Sequence, residues 1–352
     1  MQTAELSAKR VSNWLLLGVI MTVVQIALGG ITRLTGSGLS ITEWEVITGA
    51  LPPLSEQQWL DAFDKYRHTP QFQLLNFDFN LTDFKFIFFW EWFHRLWART
   101  IGMVFLIGFL WFLVRKDFKK SMISPLLILF LLGALQGAVG WIMVASGLTG
   151  DAVYVKPTRL ALHFIFALGL LCYTFWFALQ LRIPAKAVVK NTKLRKWNWI
   201  ILTILVVQLL YGALMAGHKA ATAAPTWPTI NGYWLPDHLF SAQPAVVNFI
   251  ENKTLIHFIH RGLAYLLVIL ILLWTRHLLA QTGTAVFIRF RKWPLIIVCI
   301  QVLLGIGSVL SSTGIVPGHW GRFEWLAQLH QLTGMLLLLS MVQMLYLVRE
   351  SD

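Results

Sequence analysis

Charge is scarce in this chain. Asp, Glu, Lys and Arg make up only 13% of its 352 residues, where soluble domains carry roughly a quarter. Cysteine is scarcer: Cys172 and Cys299 are the only two. Both fall inside apolar segments, which excludes a disulfide or thiol relay in the loops. Carboxylates do not gather on any helical face, so a di-iron centre, which needs several inward Glu residues, is excluded as well. The segment Met1 to Asn13 has no Arg-rich amphipathic character, and the first apolar stretch is too long for a signal h-region. A bacterial inner membrane is therefore the expected location, rather than an organelle.

Apolar residues fill the space that charge leaves. They amount to 57% of the chain and the mean hydropathy is +0.65. Runs of about 20 apolar residues, enough to cross a hydrocarbon core of roughly 30 Å, recur along its length. Eight spans are predicted, near 12–31, 86–113, 123–145, 159–182, 197–217, 253–275, 293–312 and 324–348. The fold class is thus an all-α polytopic membrane protein with lipid as its main solvent. The net charge of +13 is unevenly placed. With the N-terminus inside, 17 of the 29 Lys and Arg residues fall in inner loops and nine in the longer outer loops, leaving Arg95, Arg99 and Arg261 within spans. This is the positive-inside bias, so both termini are expected to be cytoplasmic. The basic loops face an anionic leaflet. No basic–aromatic interleave points to nucleic acid.

Four histidines stand at one depth in the even-numbered spans: His94, His163, His260 and His330. His94 and His163 are 69 residues apart, His260 and His330 are 70 apart. The stretch Glu91-Trp-Phe-His94-Arg95 parallels His257-Phe-Ile-His260-Arg261. Ionisable residues within a membrane are rare and functional by default. A single such histidine also fits packing or a proton path. Four in two equal pairs fit two bis-histidine metal sites, with haem as the matching ligand. The odd spans carry a motif of their own: Gln25-x3-Gly29, Gln136-x3-Gly140, Gln208-x3-Gly212 and Gln301-x3-Gly305. Small residues there permit close helix packing, or a wall for a flat ligand. The chain therefore divides into repeated four-helix bundles, residues 1–190 and 191–352, joined by the basic segment 182–196. Both histidine pairs lie toward the outer face.

The halves differ at one position: Glu91 aligns with His257. Glu91 and His94 are three residues apart and share a helix face. Glu91 is either an ion-pair partner of Arg95 or an acid–base group over a substrate. Its absence from the second half points to a reactive first site and an electron-transfer second site. Arg95, Arg99 and Arg261 either snorkel to headgroups or bind carboxylates such as haem propionates. His218, His238, His257 and His319 are secondary candidates near the outer interface; His68 and His277 read as loop residues. In the long first outer loop, Trp59, Ala62, Phe63 and Tyr66 form an amphipathic stripe, predicted to be an interfacial helix covering the first site. The Pro- and Trp-rich loop from His218 to Lys253 is predicted to be a lid over the second.

Four stretches together resemble the haem A synthase family, in the form found in Gram-negative bacteria and mitochondria: Gly30-Ile-Thr-Arg-Leu-Thr-Gly-Ser-Gly-Leu-Ser-Ile-Thr-Glu-Trp44, Thr48-Gly-Ala-Leu-Pro-Pro53, Phe86 through Arg95, and His260-Arg261 with Ala264-Tyr265. The resemblance spans nearly the whole chain. It departs from the family at Gly217-His-Lys-Ala-Ala-Thr-Ala223, where Gly-Leu-Asp-Ala-Gly is more usual, and at His257. The outer-loop cysteine pair of the Gram-positive form is absent. The resemblance implies an oxidoreductase acting on a CH group, converting the C8 methyl of haem O to a formyl through successive hydroxylations. It implies substrate haem O between His94 and His163 with Arg95 nearby, a resident haem b (iron) between His260 and His330 with Arg261 nearby, and Glu91 as the catalytic carboxylate. It also implies a haem O synthase as supplier and cytochrome oxidase assembly as destination. The electron acceptor stays open, and a homo-oligomer is compatible. The alternative is a bis-haem b-type electron-transfer protein without methyl oxidation.

Overall fold

The computed structural model describes residues 2–43 and 48–350; Trp44 of the first family motif lies outside them. Twelve α-helices follow in order: α1 Gln2–Leu34, α2 Glu56–Arg67, α3 Pro70–Leu75, α4 Leu81–Val114, α5 Lys120–Ala145, α6 Pro157–Arg182, α7 Thr192–Gly217, α8 Asn248–Glu251, α9 Lys253–Leu279, α10 Ala285–Phe290, α11 Trp293–Ser311 and α12 Arg322–Leu347. Among the described residues, eight helical stretches are long and apolar enough to cross a membrane. They coincide with the eight predicted spans and run a few residues beyond several of them. Those extra turns are held by polar caps. Asn80 and Asp83 form a capping box at α4, and Asn252 caps α9 through the amides of Thr254 and Leu255, satisfying donors a helix start leaves open.

Helices α1, α6, α7 and α12 form the centre. α1 packs on α6, α6 on α7, α7 on α12, and α12 returns to α1. Helices α4 and α5 flank α1 and α6; α9 and α11 flank α7 and α12. Each flanking helix thus meets its own half, while the halves meet through the central four. The most apolar stretches of α1 and α12 are accordingly the most buried of the eight, and those of α4 and α5 the least. The main core lies along this seam, with Leu168, Leu171, Leu205, Trp274, Met335 and Met341 among its members. Trp274 is fully buried and satisfies its indole by donating to Leu194 O at 3.0 Å, as a buried Trp must.

Close approach at the seam depends on Gly30. A Cβ there would stand 2.3 Å from Gln328 Oε1 and 2.8 Å from Gln331 Oε1. Both glutamines reach across from α12 to donate to α1 carbonyls, Gln328 to Ala27 O and Gln331 to Ile26 O, each at 2.9 Å. At the outer end, Arg33 donates to Ala216 O through Nε and Nη2, at 2.9 and 2.6 Å. At the opposite end, Val189–Lys190 (β1) pairs in parallel with Val348–Arg349 (β2), a feature the hydropathy pattern does not contain.

The first outer loop corrects one expectation. Residues 56–67 are helical as predicted, but the stripe does not cover the cavity. It packs sideways on the outer end of α4: Trp59 on Phe88 (5.0 Å between ring centres), Phe63 on Phe84 (5.1 Å) and Tyr66 on Phe84 (5.3 Å). An aromatic stripe seeks the nearest aromatic face, and α4 supplies one. Gly36, Gly38, Leu39 and Gln71 border the cavity instead.

Candidate functional site

The four predicted histidines line one internal cavity of about 930 Å³, bordered by helices from both halves. Each sits in the early part of its helix, and each is seated in the same way. The glycine of a Gln-x3-Gly motif opens room for the ring. A Cβ on Gly29 would meet His94 Cε1 at 3.2 Å, on Gly140 His163 at 2.8 Å, on Gly212 His260 at 3.2 Å and on Gly305 His330 at 2.9 Å. The glutamine one turn away then reaches the ring. Gln25 Nε2 lies 3.1 Å from His94 Nε2, and Gln136 Nε2 3.1 Å from His163 Nδ1. Gln208 Nε2 lies 3.3 Å from His260 Nε2, and Gln301 Nε2 3.4 Å from His330 Nε2. The glycine wall was legible in the sequence. The glutamine's part was not, although its fixed register beside four histidines was a usable signal.

His260 and His330 face each other with ring centres 6.3 Å apart and planes at 72°. Two imidazoles on opposite sides of one metal, each with a bond of about 2 Å, bring their ring centres to about 6 Å. That spacing would let His260 and His330 hold one iron between them. His94 and His163 line the same cavity. Among the described residues no group of three or more His, Cys, Asp and Glu side chains could hold a bare metal ion. Two-histidine ligation of a flat metallomacrocycle needs no such group.

Glu91 is buried and fully engaged. Its Oε2 accepts from Ser40 N at 2.7 Å, Ser40 Oγ at 2.7 Å and Ile41 N at 3.0 Å. Its Oε1 accepts from Arg95 Nη2 at 2.6 Å. Arg95 also donates to Ile41 O and Glu43 O, both at 3.2 Å. The pair therefore holds the turn at Ser40–Ile41, and Ser40 is a partner that the sequence reading missed. The equivalent position in the second half does a related job: fully buried His257 donates from Nε2 to Ala220 O at 2.7 Å. Arg261 parallels Arg95, donating to Ala224 O, Thr226 O and Thr229 O at 2.7–3.2 Å. Both arginines and Arg99 border the cavity.

The segment from His218 to Lys253 is largely irregular and borders the cavity through Lys219, Ala221 and Trp227. Trp227 borders the cavity and donates to Tyr265 Oη at 3.2 Å. Lys219 places its ammonium 3.5 Å from the centre of the Tyr154 ring. Burial, with repulsion from Arg33, pushes that ammonium down to about 8. Tyr66, buried under α4 and hydrogen-bonded to Gln71 and Asn76, is raised to about 12, chiefly by burial. Among the secondary histidines, His257 alone borders the cavity among the described residues. His218 donates to Ile250 O at 2.7 Å, and His238 and His319 are exposed. His68 bonds Asp64 O and His277 packs edge-on to Trp197.

Fold and site define a multi-pass helical membrane protein whose histidines converge on one largely apolar cavity. Residues 12–342 match the cytochrome oxidase assembly protein family, and the chain belongs to it. Similar relatives carry the name "Heme A synthase". The protein from Rhodospirillum centenum is 42% identical, with 100% of this chain and 91% of the relative covered. That from Paracoccus denitrificans is 40% identical over 85% and 80% of the two chains. That from Flavobacterium johnsoniae is 37% identical over 96% and 97%.

Proposed function

We propose that this chain is a membrane oxidoreductase that converts haem O to haem A, with the two histidine pairs divided between substrate and cofactor. Membership of the family and the relatives' name support the reaction. One observation carries the division of labour: two like histidine pairs share a chamber, but only the first has a carboxylate one turn away. Haem O is the substrate of the first half, residues 1–190, between His94 and His163. A haem b belongs to the second, residues 191–352, between His260 and His330, where it would supply one-electron redox chemistry.

The protein's own part follows from its side chains. Four imidazoles present neutral nitrogen donors in an apolar chamber. Glu91 uses both oxygens as acceptors, the behaviour of an ionised carboxylate. Oxidising a methyl group removes protons as well as electrons. A fixed negative charge at low dielectric stabilises positive charge developing there, or takes up a proton. The four donors keep Glu91 in place while this happens. Arg95 and Arg261, at matching positions, supply cations for propionates. The positive-inside bias puts both termini in the cytoplasm of a cell whose inner membrane holds the protein, with a haem O synthase as supplier.

Co-expression with a haem O synthase in cells lacking haem A is the test. Extracted pigments should contain haem A by mass spectrometry. Purified protein with haem b but no haem A formed would instead indicate a bis-haem electron-transfer protein.

A further inference from the structure

Among the described residues, four amide oxygens on side chains that line the cavity have no hydrogen-bond partner. They are Oε1 of Gln25, Gln136, Gln208 and Gln301, all buried. An unpaired buried acceptor costs ~1–3 kcal/mol, so four at one repeated register call for a reason. In each glutamine it is Nε2 that faces an imidazole nitrogen. An amide nitrogen only donates, so the ring nitrogen it meets must accept. An imidazole that gives a lone pair to a metal keeps its proton on the other nitrogen. That N–H then needs an acceptor, and the acceptor sets the ring's tautomer and orientation.

Among the described residues His330 differs from the other three in what can accept; Nδ1 of His260 has no hydrogen-bond partner. His330 donates from Nδ1 to the main-chain oxygen of Gln301 at 3.0 Å. Backbone fixes that ring and its tautomer, leaving Nε2 as the acceptor, which faces Gln301 Nε2 at 3.4 Å. No main-chain carbonyl bonds the ring of His94 or His163 among the described residues. Each of those rings has both nitrogens within 3.1–3.4 Å of one amide nitrogen, Gln25 Nε2 or Gln136 Nε2. Turning an amide end for end exchanges donor and acceptor. In these two the turn gives up a bond from Nε2 to the main-chain oxygen of the same histidine, 3.2 Å in both. It gains one from the ring N–H to Oε1.

We propose that Gln25 and Gln136 are positioning residues that reverse their amides when a haem is taken up between His94 and His163, and reverse them again on release. Two amide donor bonds are given up, to the ring and to the main-chain oxygen, and one from the ring N–H is gained, so uptake works against the free arrangement. That suits a substrate which must come and go, whereas the backbone-fixed ring of His330 suits a group that stays. The inference rests on the assignment of substrate and cofactor halves above.

The test uses the full-length protein loaded with haem O, following haem transfer to excess apomyoglobin. Gln25→Met and Gln136→Met keep the length of the side chain and remove its polar atoms. Each should release haem O about 10–100-fold faster, as loss of such a supporting partner generally does, with haem b retained. Gln25→Glu offers an acceptor without any turn, so it should slow release and lower the reduction potential of the haem in the first half. Unchanged haem O release in both Met variants would overturn the proposal. If a Met variant also loses haem b it has misfolded, and Gln25→Glu decides: unaltered release and potential would overturn the proposal. A wild-type protein that takes up no haem O would count against the functional assignment instead.

Discussion

At the scale of single residues, one position serves two purposes. Glu91 and His257 occupy equivalent sites, and each ties the start of an outer loop to a spanning helix. Anchoring is what they share; the charge belongs to Glu91. Glu91→Gln keeps the shape and most of the hydrogen bonds, so it separates the two roles. Haem A formation should stop, with haem O or a hydroxylated intermediate accumulating and haem b unchanged, as read by mass spectrometry of extracted pigments. A normal haem A yield would leave Glu91 as a loop anchor alone. Both Glu91 and Arg95 were legible in the sequence, because a helix puts residues four apart on one face. Ser40 was not, since across a separation of 51 residues nothing fixes which turn returns to α4. Lys219 gives a pH-dependent test. Its ammonium is lowered from 10.5 to about 8, so between those values the unfolded chain binds the proton better. Stability should therefore rise with pH across that window. Thermal unfolding of wild type and Lys219→Met between pH 8 and 10.5 should show the rise in wild type alone.

At the scale of elements, the recurring unit is an odd helix that seats the histidine of an even one. The seat tolerates no added carbon. Gly140→Ala and Gly305→Ala would put Cβ 2.8 and 2.9 Å from ring carbons, closer than such atoms pack, so the rings must swing away. The first should weaken haem O retention and the second should shift or bleach the haem b spectrum. Gly169→Ala and Gly262→Ala, helical positions outside the cavity lining, have nothing within 4 Å and should be neutral, or up to about 1 kcal/mol stabilising through helix propensity. Absorption spectra of the four purified variants check the contrast. Periodicity revealed the helices and the stripe of α2. It could not reveal that the stripe turns toward Phe84 and Phe88, because an amphipathic face announces only that it is covered, not by what.

At the scale of the whole molecule, the halves meet along α1, α6, α7 and α12, and Gly30 is one close point between them, Gly217 against Pro157 another. Gly30→Ala must dislodge Gln328 and Gln331 from the α1 carbonyls they bind. It should lower stability by about 1–3 kcal/mol, as overpacking generally does, with both haem sites affected together; unfolding in mild detergent measures it. His260→Ala and His330→Ala should each remove the haem b spectrum while the protein still accumulates in the membrane. Two repeats were visible in the spacing of histidines and glutamines. Their mode of contact was not, for Gln328 and Gln331 read as two ordinary polar residues until α1 lies beside them. The small ladder between β1 and β2 has an effect on chain path. Asn191 N donates to Arg349 O at 2.8 Å, and Arg195 donates to Leu345 O and Val348 O. The second half thus begins and ends at one place, so its helices follow an almost closed circuit. The ladder thus ties the entry of α7 to the exit of α12, so neither end can drift from the other without breaking it.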